Sequence, residues 1–308
     1  MLKVVVWQPY YSGAIILNQF RKGSYRDEFT GAVSLNTTGS TGHATIDNGT
    51  TALNIAASSV GGNLNLTSGN SITDSGTLTV GGNLVATTDA NNGLINLGTL
   101  AVDGTVALTT NGSGNATAVN DAGLTFAAST VGGNLAATAT TGNMADSGAL
   151  TITGTTTLTT SANNATIALD TTTNAFTGAV TITTNDDSGT DADVTIDGGT
   201  TAFILAASTI DGDLTVRSGN ASGITDSGTV TVGGNLVATT DANSGAINLN
   251  QLAVGSSYGT IYLTTNGSGN ATVVNDRSLE LRNAVVGGNL AATATTGNIS
   301  DIGTLTVA

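Results

Sequence analysis

Apolar residues recur along this chain in short alternating runs. In Leu78-Thr79-Val80 the Leu and Val share one side and the Thr takes the other; Gly81-Gly82 then turns the chain, and Leu84 and Ala86 regain the apolar side. Beyond the polar stretch 87–92, Ile95 and Leu97 form a third short run. Alternation at period two is what a strand with one buried face produces. The density of Gly and β-branched residues excludes helix. Runs of three to five residues, separated by Gly, Asn and Asp turns, predict short strands.

The runs belong to a recurring unit: an apolar anchor, any residue, Gly, any residue, then an apolar or small strand. The anchors are Phe29, Val60, Val80, Val102, Val131, Ile152, Phe176, Ile210, Val232, Val254, Val286 and Val307. Gly stands two residues after ten of the eleven anchors that open a full unit; after Val254 that place is held by Ser256. Most spacings lie near 21 residues and four lie near 30. The long ones predict a loop bulging from one side, as over 110–120 and 265–275.

A longer repeat is superimposed. VGGNLVATTD reads at 80–89 and again at 232–241, TTNGSGNAT at 109–117 and 264–272, and VGGNLAATATTGN at 131–143 and 286–298. The offset grows from 147 to 155 residues through small insertions, which loops of a repeat tolerate. One unit of about 21 residues cannot enclose its own apolar anchors, so units must stack, Val on Val and Leu on Leu, at ~4.8 Å per coil. The expected fold is all-β: a parallel β-solenoid of about eleven coils in two long repeats of roughly 150 residues, right-handed by analogy with strand crossovers.

Residues 1–28 differ from the repeat array at 29–308. They hold the only Trp and Pro (Trp7, Pro9) and carry four basic residues against two acids, net +2; residues 29–308 carry three Arg against nineteen acids, net −16. The runs Val4–Trp7 and Ala14–Leu17 flank a turn-rich segment and predict a hairpin. This segment is expected either to cap the first coil or to dock on another copy, its positive charge complementing the acidic rod.

Composition narrows the function. Charged residues are 9% and the net charge is −14, which argues against nucleic acid and anionic membranes, since both need clustered Lys and Arg. There is no Cys, so no disulfide or thiolate metal site. No apolar run approaches a membrane span, and the N-terminus lacks the long apolar core of a signal peptide.

Repeats such as VGGNLVATTD, TVGGNL and LTVGG resemble the β-helical stalk repeats of filamentous-haemagglutinin-like adhesins, of the two-partner-secretion or autotransporter type. The resemblance covers about 29–308. It implies an extracellular or cell-surface location and adhesion or fibre formation, with a surface glycan or host-cell partner. The Asn-Pro motifs of that family's secretion domain are missing, Pro9 being the only Pro.

No catalytic, cofactor-binding or metal-binding residues are expected, and no enzyme activity. The candidates weighed are few. Asp186, Asp187, Asp191 and Asp193 crowd one loop with oxygen ligands suited to Ca²⁺, but without calcium-binding spacing. Asp74, Asp146, Asp226 and Asp301 recur, mostly in Asp-Ser-Gly, as a carboxylate set or, more simply, as Asx-type turns. His43 is the lone His, in a Gly/Ser/Thr loop. Arg217, Arg277 and Arg282 are scattered. Tyr258 and Tyr262 are the clustered aromatics, where a glycan-binding or glycan-processing β-helix would need them. The runs 155–160 and 138–141 offer Thr faces of an ice-binding kind, interrupted by varying coil length. Sequons at Asn36, Asn48, Asn65, Asn111 and Asn266 follow from composition. The favoured expectation is an extracellular structural or adhesive solenoid, self-associating head to tail through strand edges at 305–308 and 4–17, or continuing a longer rod.

Overall fold

The computed structural model describes residues 4–7, 15–17, 21–22, 25–26, 28–185, 191–241, 244–255 and 259–308. Every regular element among them is a β-strand, and none is a helix long and apolar enough to cross a membrane. The chain forms a parallel β-solenoid. It divides into two compact units, one of residues 1–141 and 150–154, the other of 142–149 and 155–308.

Each turn contributes strands to two faces. In the first unit, one face stacks Ser58–Val60, Leu78–Val80 and Ile95–Val102 in parallel, with Val60, Val80 and Val102 in one column. The opposite face stacks Leu64–Ser68, Leu84–Asn91 and Thr105–Asn111, with Leu64, Leu84 and Val106 in register. The second unit repeats the arrangement within itself: Ile210, Val232 and Val254 form one column, and Leu214, Leu236 and Ile261 another. All of these side chains are buried, each worth about 1.5–3 kcal/mol relative to exposure.

The anchors do not occupy a single column. Val60, Val80 and Val102 lie on one face of the first unit, whereas Val131 and Ile152 pair on the other. In the second unit Ile210, Val232 and Val254 share one face and Val286 and Val307 the other. A spacing near 30 is therefore a turn and a half, not a long turn with a bulge. Register partners stay close to one turn apart, as with Ala116 and Leu135 or Ile72 and Ile95. Residues 110–120 accordingly hold a tight turn and the strand Ala116–Asn120, and 271–275 form the equivalent strand. The stretch 87–92 is likewise mostly strand (Leu84–Asn91), with Asn92 turning at φ 66°. Both faces present the same environment, a flat apolar layer ending in a corner, so the same peptide text suits either.

The recurrent Gly is a corner residue. The Gly62 N–H donates to Gly42, Gly82 to Gly62 and Gly104 to Gly82, at 3.1 Å each, so one Gly sits on the next from turn to turn. A Cβ on Gly82 would lie 2.3 Å from Asn63 Oδ1, and one on Gly132 1.8 Å from the Gly112 carbonyl. No side chain fits there without moving backbone.

Buried polar side chains fasten turn to turn. An Ala-Ala-Ser motif at 56–58, 127–129 and 206–208 places its Ser hydroxyl where it donates to the carbonyl two residues back and accepts an N–H from the turn before (Leu35, Leu108 and Ile182, each 3.0 Å). Thr110 and Thr265 hydroxyls donate to the Gly114 and Gly269 carbonyls across the tight turn and accept the Gly132 and Gly287 N–H. In a medium of low dielectric an unpaired buried amide is costly, and these hydroxyls prevent it.

The N-terminal runs do not form a hairpin. Val4–Trp7 pairs in parallel with Val33–Asn36, and Ile15–Leu17 pairs in parallel with Ala44–Asp47. The two runs are thus backbone partners of both faces of the first array turn. Arg21–Lys22 and Tyr25–Arg26 form a separate antiparallel pair.

Candidate functional site

The four recurrent aspartates belong to different turns and do not converge. Asp74 accepts the Gly98 N–H (3.1 Å) and the Thr99 N–H (2.7 Å) and hydroxyl (2.9 Å) from the following turn. Asp226 accepts the Gln251 N–H at 2.7 Å. Asp146 meets the Asn174 amide at 2.6 Å, and Asp301 is exposed on the last turn. Asp74 and Asp226 therefore clamp the neighbouring turn rather than closing an Asx turn of their own. What they clamp is an outward bulge, where register shifts between Leu97 and Leu100 in one unit and between Leu249 and Leu252 in the other.

Burial raises the carboxyl pKa of Asp226, against hydrogen bonds that lower it. The folded chain then binds this proton more tightly than the unfolded chain does. Its contribution to stability is fully present below the ordinary carboxylate pKa and is lost as pH rises through the raised value. Asp226→Asn is expected to remove that loss: relative to wild type, the variant gains stability between acid and neutral pH. Urea midpoints at pH 3.5 and pH 7 check this, and an identical pH slope in both proteins would contradict it.

Beside each bulge lies a shallow groove. That of the first unit, about 260 Å³, is lined by Thr77, Gly98, Thr99, Leu100, Val119, Asp121 and Thr140. That of the second, about 200 Å³, is lined by Thr229, Asn250, Gln251, Leu252, Val274, Asp276 and Thr295. The two linings correspond position by position. Asp276 lies 3.5 Å from Arg277, whereas Ala122 stands at the matching place after Asp121.

Several other candidates are parts of the stack. His43 Nδ1 accepts the Asn63 N–H (2.8 Å), heading a ladder in which Asn63 and Asn83 side-chain oxygens accept the N–H of Asn83 and Thr105. Asp193 and Asp213 run the same ladder in the second unit, accepting the Asp213 and Asn235 N–H at 2.8 and 2.7 Å. Asp186 and Asp187 lie outside the described residues, among which no three His, Asp or Glu side chains gather as a metal site. Arg217 Nε donates to Asp241 at 2.6 Å and lies 3.9 Å from Asp197; half-exposed, this pair is worth little. Arg282 stands opposite Ile302 on its strand. Tyr258 lies outside the described residues, and Tyr262 stands on a strand opposite Val237. Of the sequons, Asn48 is fully buried and its amide bonds to Phe29, Thr51 and Ala52, so it is closed to modification. In the run 155–160, Thr156 and Thr160 point inward. A continuous outward Thr column does exist in the first unit (Thr67, Thr87, Thr109, Thr130, Thr151), but the column beside it reads Asn65, Val85, Ala107.

One further surface is an edge. On the last turn Ile299 and Val307 are 51% and 46% exposed, while their register partners one turn back, Leu279 and Val286, are fully buried. Ile299 and Val307 thus continue core columns.

Four stretches, 41–99, 113–183, 191–254 and 268–308, match the model of a family described as repeats of unknown function (DUF5649). No curated protein and no solved structure matches the chain.

Proposed function

Because the chain belongs to this DUF5649 repeat family and folds as a β-solenoid, we propose that it is structural and adhesive material of the cell surface or the extracellular space. Copies join end to end by adding one copy's first turn to another's last. The carrying observation is the parallel turn-on-turn register, in which the strands of one turn, such as those of Ile299 and Val307, continue the buried columns of the turn before. The partner edge is that of Val4–Trp7 and Ile15–Leu17, which belong to a segment of net positive charge on an otherwise acidic chain. The resemblance of VGGNLVATTD-type repeats to adhesin stalks supports the location, and the use of Asn, Ser and Thr as fasteners between turns supports a mechanical role.

Purified chain is expected to form linear assemblies whose length grows with concentration. Ile299→Lys with Val307→Lys, both on exposed positions, is expected to leave single particles. Analytical ultracentrifugation with electron microscopy decides it: wild type and variant both monomeric over the same concentration range would overturn the proposal.

A further inference from the structure

The two grooves recur at corresponding places in the two units. We propose that they are duplicated carbohydrate subsites, each seating one neutral sugar ring. A sugar ring has a rim of hydroxyls and a face of C–H bonds, and each groove supplies both complements. The hydroxyls of Thr77 and Thr140, with the Asp121 carboxylate, rim the first groove; Thr229 and Thr295, with Asp276 and the amides of Asn250 and Gln251, rim the second. The half-buried Val119 gives the first groove its apolar surface and Val274 the second, with Leu100 and Leu252 fully buried behind them. A carboxylate accepting ligand hydroxyls makes charge-assisted bonds, stronger than neutral ones. No basic side chain lines either groove and the chain carries a net charge of −14, so anionic ligands are repelled.

Size limits what fits. Volumes of about 260 and 200 Å³ fall below the ~300–1,000 Å³ of enclosed small-molecule sites. One ring is accommodated, not an extended chain, and the binding strength available per atom puts Kd at about 1 mM. The wall is fixed before binding, because Asp74 already holds the Gly98 and Thr99 N–H groups and Asp226 that of Gln251; such preorganisation lowers the cost of binding. Corresponding lining residues lie 152 or 155 residues apart, with Leu and Asp identical at their positions. The Asp121 carboxylate has no neighbour like Arg277, so the first groove is the stronger.

The test is an amide-resolved NMR titration of the full chain with methyl α-glucoside, methyl β-galactoside and glucosamine. The proposal expects saturable shifts at Thr99, Asp121 and Thr140, and at Gln251, Asp276 and Thr295, with at least one neutral glycoside. Asp121→Asn is expected to weaken the first groove about tenfold, and Thr140→Trp to abolish it while the second groove, the internal control for folding, still binds. No saturable shift with either neutral glycoside up to about 50 mM would overturn the proposal. So would first-groove shifts that survive Thr140→Trp, or shifts with glucosamine alone, which would mark a site for cations.

Discussion

Asn120→Ala is expected to destabilise the first unit by about 3 kcal/mol, although only one small polar side chain is lost. Asn120 is buried, its Oδ1 accepts the Val102 N–H at 2.8 Å, and its Nδ2 donates to the Val102 and Gly123 carbonyls at 3.1 and 2.6 Å. The amide thus serves both backbone groups of a residue one turn away and a third in its own turn. Alanine leaves both Val102 groups without a partner where water does not reach, and the half-buried Gly123 carbonyl without its bond. Each such group costs about 1–3 kcal/mol, and the costs are not additive. Asn275 repeats the arrangement in the second unit with Val254 and Ser278, and Asn275→Ala is expected to behave alike. Urea denaturation measures the loss, and amide exchange at Val102 and Val254 localises it. A loss under about 1 kcal/mol in both variants would mean that the amides are not the fasteners they are taken to be.

Phe203→Ala is expected to cost the second unit about 3–5 kcal/mol. Phe203 is fully buried and meets Phe176 edge to face, with centroids 6.1 Å apart and planes at 88°. Such pairs add to the value of the buried area itself. Because each turn touches only its neighbours, the damage should concentrate in the flanking turns. Hydrogen exchange is expected to rise first at the strands Val180–Thr183 and Ile224–Asp226, which pair with the strand of Phe203 from the turns on either side. Phe203→Leu, which refills most of the space, should recover more than half of the loss. Uniform loss of protection throughout the unit would instead indicate a single cooperative core.

The sequence carried the fold because its strongest signal, period-two alternation closed by Gly, is the one that stacking demands. Leu78-Thr79-Val80 alternates inward and outward as its letters imply, and VGGN marks a corner wherever the described residues include it. The column assignment was not legible, since Val102 and Val131 are preceded by the same kind of strand and followed by the same Gly, yet face opposite sides. Only the register of neighbouring turns distinguishes them. The polar interior was hidden for a related reason. Thr110, Ser129 and Asn120 look like loop residues in a Thr- and Asn-rich chain, and their burial follows from where the next turn passes. The Ala-Ala-Ser motif, three times before an anchor, was the available signal.

Asp74 and Asp226 stood out because Asp-Ser-Gly recurs, and the recurrence is real, but its cause is the bulge in the following turn rather than a carboxylate pair. The grooves themselves could not be read from the sequence. Thr77, Leu100, Asp121 and Thr140 are spread over four successive turns, and nothing in the chain's local pattern joins them.

Successive turns lie directly above one another in register, and engineered disulfides test this stacking in a chain without Cys. Ser59, Thr79 and Ala101 occupy one outward column, each a single turn from the next. Adjacent strands lie about 4.8 Å apart, within the Cα separation a disulfide spans, whereas two turns exceed about 7 Å. The pairs Ser59→Cys with Thr79→Cys, and Thr79→Cys with Ala101→Cys, are expected to oxidise to intramolecular disulfides, and Ser59→Cys with Ala101→Cys to remain reduced. Closure of the two-turn pair, or failure of both one-turn pairs, would contradict the stack.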